Sequence, residues 1–506
     1  MKSFAYFLST LASCSLAVAS AADPLPAFPG AAGFGKYAQG ARGGTKPEVY
    51  IVDSLADDDS PGTLRHAIDS VKGKRGRFIV FRIGGVITLQ ESRPLVIDSP
   101  FITIAGQTAP LGGICIRGEG LEIRDGAHDI IVRGLRVRPS DLHYSVNTAP
   151  RNRDAIKVGE LAESDPSLRD IIIDHCSFSW GTDETASAYR ACQNVTFQYN
   201  IIESSLRDSI HEDETAPVEY HNAKHGMGMV IGPWTRNVTL YRNLIAHHEY
   251  RNPFLKQTDQ SELINNYIYN FGNAGGQLSG SIKVGTHPLK AHVIANYWLG
   301  GPDTTTHKDR LVRFNGIDSS SGSKIFLRGN AASFSGYELL PHQDVIEAGF
   351  TNAKIKSEAF TSEPAFAGIG MNEITKLSSQ LNELDFLLDE VGARWPSRDA
   401  IDARLMNDIS NRQGSLIDVV YLPPKSQPGK WLNPVGPKAA ADIDSDGDPK
   451  LPDYASYGLP SAIDADRDGI PDTLETEYGS DPLKDDDGDG YLNIEEYLND
   501  IITGTR

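Results

Sequence analysis

Arg251 and Lys256 sit in "HHEYRNPFLK" (247–256), where an Arg-x-Pro among polar side chains makes a poor core strand. Two cations fixed at such a place suit an anionic substrate. One can grip a carboxylate while the other meets charge that develops in the transition state. Carboxylates precede them along the chain. "PRNRDAIKVG" carries Asn152 and Asp154, "DHCSFSWGTDET" carries Asp174, Asp183 and Glu184, and "NAKHGMG" carries Lys224 and His225. Asp154, Asp183 and Glu184, completed by water, form a hard oxygen set suited to calcium. No Cys/His spacing suggests zinc. Taken singly, each of these carboxylates reads as a solvated loop residue, so the weight lies on their grouping.

A second oxygen-rich region closes the chain. "DADRDGIPDTLE" (464–475) and "DDDGDGYLNIEE" (485–496) follow the twelve-residue calcium-loop pattern. Asp464, Asp466, Asp468 and Glu475 are the side-chain ligands of the first loop, and Ile470 lends its carbonyl. Asp485, Asp487, Asp489 and Glu496, with the Tyr491 carbonyl, do the same in the second. The alternative is a disordered acidic tail. The spacing of the loops is too short for full helices around each. The pair therefore resembles dockerin or thrombospondin type 3 calcium repeats, and "DIDSDGDP" (442–449) is a truncated copy spoiled by Pro449.

Something must hold the first group of residues in register, and the sequence repeats itself. "NVTFQYNII" (194–202) and "NVTLYRNLI" (237–245) match almost residue for residue. Related pieces are "RDIIIDHCSFS" (169–179), "LINNYIY" (263–269), "VIANYWL" (293–299) and "IFLRGNA" (325–331), and alignment puts Asn200, Asn243, Asn266, Asn296 and Asn330 at one position. Short β-branched strands separated by insertions of unequal length fit a solenoid whose coils stack strand on strand. A buried amide repeated in step can bond its neighbours above and below. The expected fold is all-β, a right-handed parallel β-helix with helical flanks and a small C-terminal calcium-loop module. "SPGTLRHAIDSVKGK" (60–74) reads as a helix begun by Ser60-Pro61 that covers the open end of the stack. Residues 373–409 have helical periodicity and are expected against the outer side.

Composition bounds the rest. The chain has 506 residues with a net charge of −19, and residues 442–506 hold 19 acidic against 4 basic residues, a net of −15. The acidity thus belongs to the C-terminal module, and the main domain can still meet a polyanion; nothing points to nucleic acid. Residues 1–21 read as a signal peptide ending in Ala19-Ser20-Ala21. A rival reading takes Leu11-Ala12-Ser13-Cys14 as a lipobox with Cys14 acylated. No later apolar stretch could span a bilayer. Cys115, Cys176 and Cys192 remain in the mature chain, enough for at most one bridge. The expected domains are 1–21 leader, 22–440 β-helix with its helical flank, and 441–506 calcium module.

The blocks "AFPGAAGFG" (27–35), "PGTLRHAI" (61–68), "ITIAGQTAP" (102–110), "DAI" (154–156), "IIIDHCSFSWGTDE" (171–184) and "RNPFLK" (251–256) occur in an order that closely resembles pectate lyases of polysaccharide lyase family 1. The resemblance covers roughly residues 27–335 and implies a secreted, monomeric enzyme acting on polygalacturonate or pectin. It implies one calcium ion between enzyme and a galacturonate carboxylate, loss of the C5 proton, scission of C4–O and a 4,5-unsaturated product. Arg251 falls at the family's arginine position, as base or as electrostatic stabiliser. Lys256 stands where a second arginine is usual; Lys224 and His225 are expected as substrate contacts from the charge of their own segment, and the family's lysine has no match here. Asp154 matches a calcium ligand, Asn152 replaces a companion aspartate, and Asp183 or Glu184 matches a ligand glutamate. Ser187 stands in place of a further ligand aspartate. With two more calcium ions in the C-terminal loops, the chain would hold three.

Two other classes remain open. A pectin-degrading hydrolase on the same fold would use paired carboxylates such as Asp174 and Asp183. A non-catalytic β-helix would bind polyuronide without shortening it.

Overall fold

The computed structural model describes residues 24–71, 73–110, 112–124, 126–141, 152–159, 167–209, 225–280, 288–305, 311–317, 321–334, 337–340, 359–369, 383–418, 420 and 464–504. The leader, Cys14, Lys224 and the expected boundary near 441 lie outside these residues.

The chain winds through three sheets, of ten, ten and eight strands among the described residues. One coil shows the rule. Arg169–Asp174 joins the first sheet, Ser177–Ser179 the second and Glu184–Ala188 the third. The next coil then lays Gln193–Gln198 beside Arg169–Asp174 in parallel. All pairings are parallel except the last in the second sheet, Ala331–Phe334 with Tyr337–Leu340. This is a parallel β-helix, as the repeats predict. Its interior is a stack of like on like. Ile171 pairs with Val195, Val195 with Val238, and Ile173 with Phe197, Phe197 with Leu240. All are fully buried. Each such side chain contributes about 1.5–3 kcal/mol by leaving water, so the stack supplies its own driving force coil by coil.

The asparagines form the ladder that their spacing predicts. Nδ2 of Asn200, Asn243, Asn266 and Asn296 each donates at 3.0 Å to Oδ1 of the next, ending on Asn330. Each Oδ1 also accepts a backbone N–H from the coil before it, as Asn243 does from Asn200 at 3.0 Å. Cys176 takes the next rung, its N–H donating to Asn200 Oδ1 at 2.9 Å. Among the described residues no disulfide joins Cys115, Cys176 and Cys192, and all three are buried.

The flanking helix α1 (Leu64–Asp69) starts later than Ser60-Pro61 suggests, because Thr63 supplies the N-cap by accepting from the His66 N–H at 3.1 Å. Leu64, Ala67 and Ile68 enter the main core. Within 373–409 the described residues hold two helices, α2 (Glu383–Glu390) and α3 (Ala400–Asn411). Leu387, Leu405 and Ile409 pack on Leu244, Tyr267 and Tyr269 of the second sheet's outer face. A buried ion network fixes α3: Arg138 donates to Asp399 at 2.7 Å and to Asp402 at 2.8 Å. The expected outer-side position of these helices holds.

The C-terminal module contributes α4 (Glu475–Tyr478) and α5 (Asn493–Thr503). It is no loose appendage. Ile470, Ile494 and Leu498 are buried against Ile51, Phe78 and Val80 of the first sheet.

Candidate active site

The site is assembled on the third sheet, where loops enter successive strands. Asp154 lies two residues before Ile156–Val158, Glu184 opens Glu184–Ala188, and Arg251 lies just before Phe254–Lys256. The backbone ties these entrances together. Thr182 N–H donates to the Arg153 carbonyl at 2.9 Å, Ala155 N–H to that of Thr185 at 3.0 Å, and Met229 N–H to that of Arg251 at 2.7 Å.

Arg251 is aimed by an irregularity in the ladder. Met227 bridges Tyr250 while Val230 pairs with Phe254, so four residue steps on one strand face three on the other. The extra residue is a bulge, which turns a side chain away from the regular pleat. Arg251 takes φ 59°, and a cis peptide joins Asn252 to Pro253. Asn252 is fully buried and donates to the Ala274 carbonyl at 2.9 Å. The Arg-x-Pro is therefore a built turn.

Asp154, Asp183 and Glu184 converge, each offering a carboxylate oxygen within 4.8 Å of the others. Asp154 accepts from Ser187 Oγ, and Asp183 Oδ1 lies 2.6 Å from His225 Nε2. The Arg251 guanidinium is ion-paired with Glu184. Burial, then the charge of Asp183, raises the Asp154 carboxyl to about 7, although Ser187 and Lys157 pull the other way. Burial lowers the Arg251 pKa, and Asp183 and Asp154 oppose that shift. Desolvation is the largest cause of that lowering.

Among the predicted residues, the structure joins Asp154, Asp183, Glu184 and Arg251 directly. His225 meets Asp183, so it orients a carboxylate of the cluster. Asn152 is exposed at the edge. Lys256 lies on the same sheet, its Nζ 5.9 Å from the Phe254 ring centroid and its backbone paired with Ser279. Asp183 and Glu184 both belong to the cluster. Lys157 was missed. It pairs with Ser187, alternates outward between the core residues Ile156 and Val158, and its charge acts on Asp154.

Asp174 does not join Asp183. It ends a strand of the first sheet, fully buried, with Arg133 Nε at 2.7 Å, His175 Nδ1 at 2.9 Å and Gln198 Nε2 at 2.8 Å. His175 and Arg133 hold its carboxyl far below the usual range, which unsuits it for general-acid work.

The C-terminal loops gather two further triads, Asp464–Asp466–Asp472 and Asp485–Asp487–Asp489. Asp472 was not anticipated, though it occupies loop position nine, a usual ligand place. Asp468 Oδ1 accepts from the Ile470 N–H at 2.8 Å, and its buried Oδ2 has no hydrogen-bond partner among the described residues. Glu475 and Glu496 stand on α4 and α5, outside these triads. No helix among the described residues is long and apolar enough to cross a membrane.

No protein-family profile matches the chain. The "Probable pectate lyase C" of Neosartorya fischeri is 30% identical over 516 residues, covering 100% of both chains. The protein of the same name from Aspergillus terreus is 30% identical over 492 residues, covering 94% of each. Among solved structures, a thermostable pectate lyase covers 72% of this chain and 97% of its own, at 13% identity and a TM-score of 0.43.

Proposed function

Because the chain belongs to the pectate lyase family, we propose that it cleaves (1→4)-α-D-galacturonan by calcium-dependent β-elimination. The observation that carries this reading is one cluster: three convergent carboxylates with Arg251 paired to one of them, at the strand entrances of a sheet that also presents Lys256. The enzyme is a polysaccharide lyase.

Calcium fits this cluster. The donors are all hard oxygens, and burial, then the neighbouring charge of Asp183, raises the Asp154 pKa. Asp154, Asp183 and Glu184 would hold the ion, with Asn152 at the edge. Bound there, calcium supplies positive charge against a uronate carboxylate and so acidifies the adjacent C–H. Ser187 and His225 hold Asp154 and Asp183 in place. Lys256 grips a substrate carboxylate as a point charge. Arg251 acts at C5. The C5 proton passes to a base, Arg251 where it is neutral or solvent water where it is charged; the C5–H electron pair forms the C4–C5 double bond, and the C4–O bond breaks with its electrons going to the departing oxygen, which takes a proton from solvent water. Burial lowers the Arg251 pKa, the direction that a role as base needs, while Asp183 and Asp154 raise it, the direction that a charged stabiliser of the developing anion needs. Lys224 is proposed as a further substrate contact.

The two C-terminal loops are proposed to bind calcium through Asp464, Asp466, Asp468, the Ile470 carbonyl and Glu475, and through Asp485, Asp487, Asp489, the Tyr491 carbonyl and Glu496. The unpartnered Asp468 Oδ2 supports a cation in the first. The leader-like residues 1–21 support export, and the enzyme is proposed to act as a monomer.

The test is absorbance from the conjugated product during incubation with polygalacturonate, with and without a calcium chelator. Calcium-dependent growth of ultraviolet absorbance is expected. Saturated ends formed without calcium would establish hydrolysis, and binding without shortening would establish a lectin-like role.

A further inference from the structure

We propose that the C-terminal module is a calcium-set clamp: ion binding in its loops and docking on the outer face of the first sheet are one coupled event that fastens the first coils of the β-helix. The proposal rests on the reading that these loops hold calcium.

The coupling lies in residues that belong to both events. Ile470 and Tyr491 each occupy loop position seven, where the backbone carbonyl is the ligand. The Ile470 side chain is fully buried in the cluster that contains Ile51, Phe78 and Val80. Gly469, one residue earlier, takes φ +99°, and a Cβ on it would come within 2.8 Å of Val49 Cγ1. The turn of the first loop is therefore pressed against the Glu48–Val52 strand itself. Arg82 follows the neighbouring strand, Arg77–Phe81, and reaches the same loop. It is ion-paired with Asp464 and donates to the Asp464 carbonyl at 2.7 Å. Arg467 meets Asp53 at 2.7 Å on the other side.

The second loop is held in the same manner. Arg42 donates to the Gly490 carbonyl at 3.4 Å, its guanidinium lies 5.0 Å from the Tyr491 ring centroid, and its Nε is 3.7 Å from Glu495. The α5 helix continues the contact, with Gln107 Nε2 donating to the Leu498 carbonyl at 3.2 Å. Carboxylates crowded into a twelve-residue loop repel one another without a cation. If the position-seven backbone shifts on ion loss, the side chains beside it must leave their seats on the sheet. By linkage, seating those side chains must equally favour ion binding.

Full-length protein titrated with calcium alone and followed by hydrogen exchange tests this. With loops of Kd about 10⁻⁴–10⁻³ M, about 10 mM calcium should slow exchange in Glu48–Val52 and in α5 by roughly 10- to 100-fold. The distant Gly276–Ser279 strand should not respond, which also reports that the β-helix stays folded. Asp466→Asn with Asp487→Asn should abolish the response. Ile470→Ala, which keeps the carbonyl and removes the seated side chain, should raise the calcium midpoint. Loops that order with calcium while Glu48–Val52 exchanges unchanged, or an Ile470→Ala midpoint equal to wild type, would overturn the clamp but leave the calcium loops standing. Loops that bind no calcium would remove both.

Discussion

Arg251 is ion-paired with Glu184, so the proposed reacting cation shares a carboxylate with the proposed calcium triad. The two roles are thereby separable by mutation. Glu184→Gln keeps the shape and removes the charge, and it is expected to raise the calcium concentration needed for half-maximal activity. Arg251→Lys loses the planar fork and is expected to lower kcat by roughly 10² or more at saturating calcium, with little change in substrate affinity. Steady-state kinetics across a calcium series checks both. Near-normal turnover in folded Arg251→Ala would sink the assignment.

The calcium requirement should depend on pH through Asp154. Burial and the charge of Asp183 raise its carboxyl to about 7, so the folded state holds this proton more tightly than the unfolded chain does. That contribution to stability is fully present below the ordinary carboxylate range and is lost as pH rises through about 7. Calcium needs the ionised form, so its apparent affinity should fall below about pH 7 by up to about tenfold per unit, with proton release on binding. Calorimetry at pH 6 in two buffers of different ionisation enthalpy measures the released proton. Identical heats in both would count against Asp154 as a ligand.

Lys256 should act on binding more than on turnover. Lys256→Ala is expected to raise KM for polygalacturonate with a smaller effect on kcat, and the effect should shrink at high salt because the contact is a point charge. Lys256→Arg keeps the charge and should be tolerated. A fall confined to kcat would move Lys256 from grip to chemistry.

Much of this was legible in the sequence because a solenoid writes its period into the chain. Val195 and Val238 pair as the matched strings align them, and the five asparagines are one ladder. Site residues could be read where a loop residue carries its own chemistry, as Asp154, Asp183, Glu184 and Arg251 do. What escaped depended on packing across long separations. Lys157 reads as an ordinary surface lysine until its pairing with Ser187 places it near the cluster. His225 gave no sign that it would face Asp183. The docking of the C-terminal module was hidden for a different reason. Ile470 and Ile494 are dispersed among acidic residues, so the local composition suggests a solvated tail while their side chains are fully buried.

The ladder itself offers the last test, because it separates the scaffold from the site. Asn266 Nδ2 donates to the Leu240 carbonyl at 2.9 Å and to Asn296 Oδ1 at 3.0 Å, and its Oδ1 accepts from the N–H and Nδ2 of Asn243. Asn266→Ala strands these groups inside a core that water does not reach, at about 1–3 kcal/mol for each group left without a partner. Asn266→Asp substitutes a buried carboxylate for two donors and should cost more. Denaturant unfolding should show the loss as a lower midpoint, while kcat of the folded fraction stays near wild type because the proposed site residues lie on the third sheet. A midpoint unchanged within error in Asn266→Ala would mean that the amide stack decorates the coil turn without holding it.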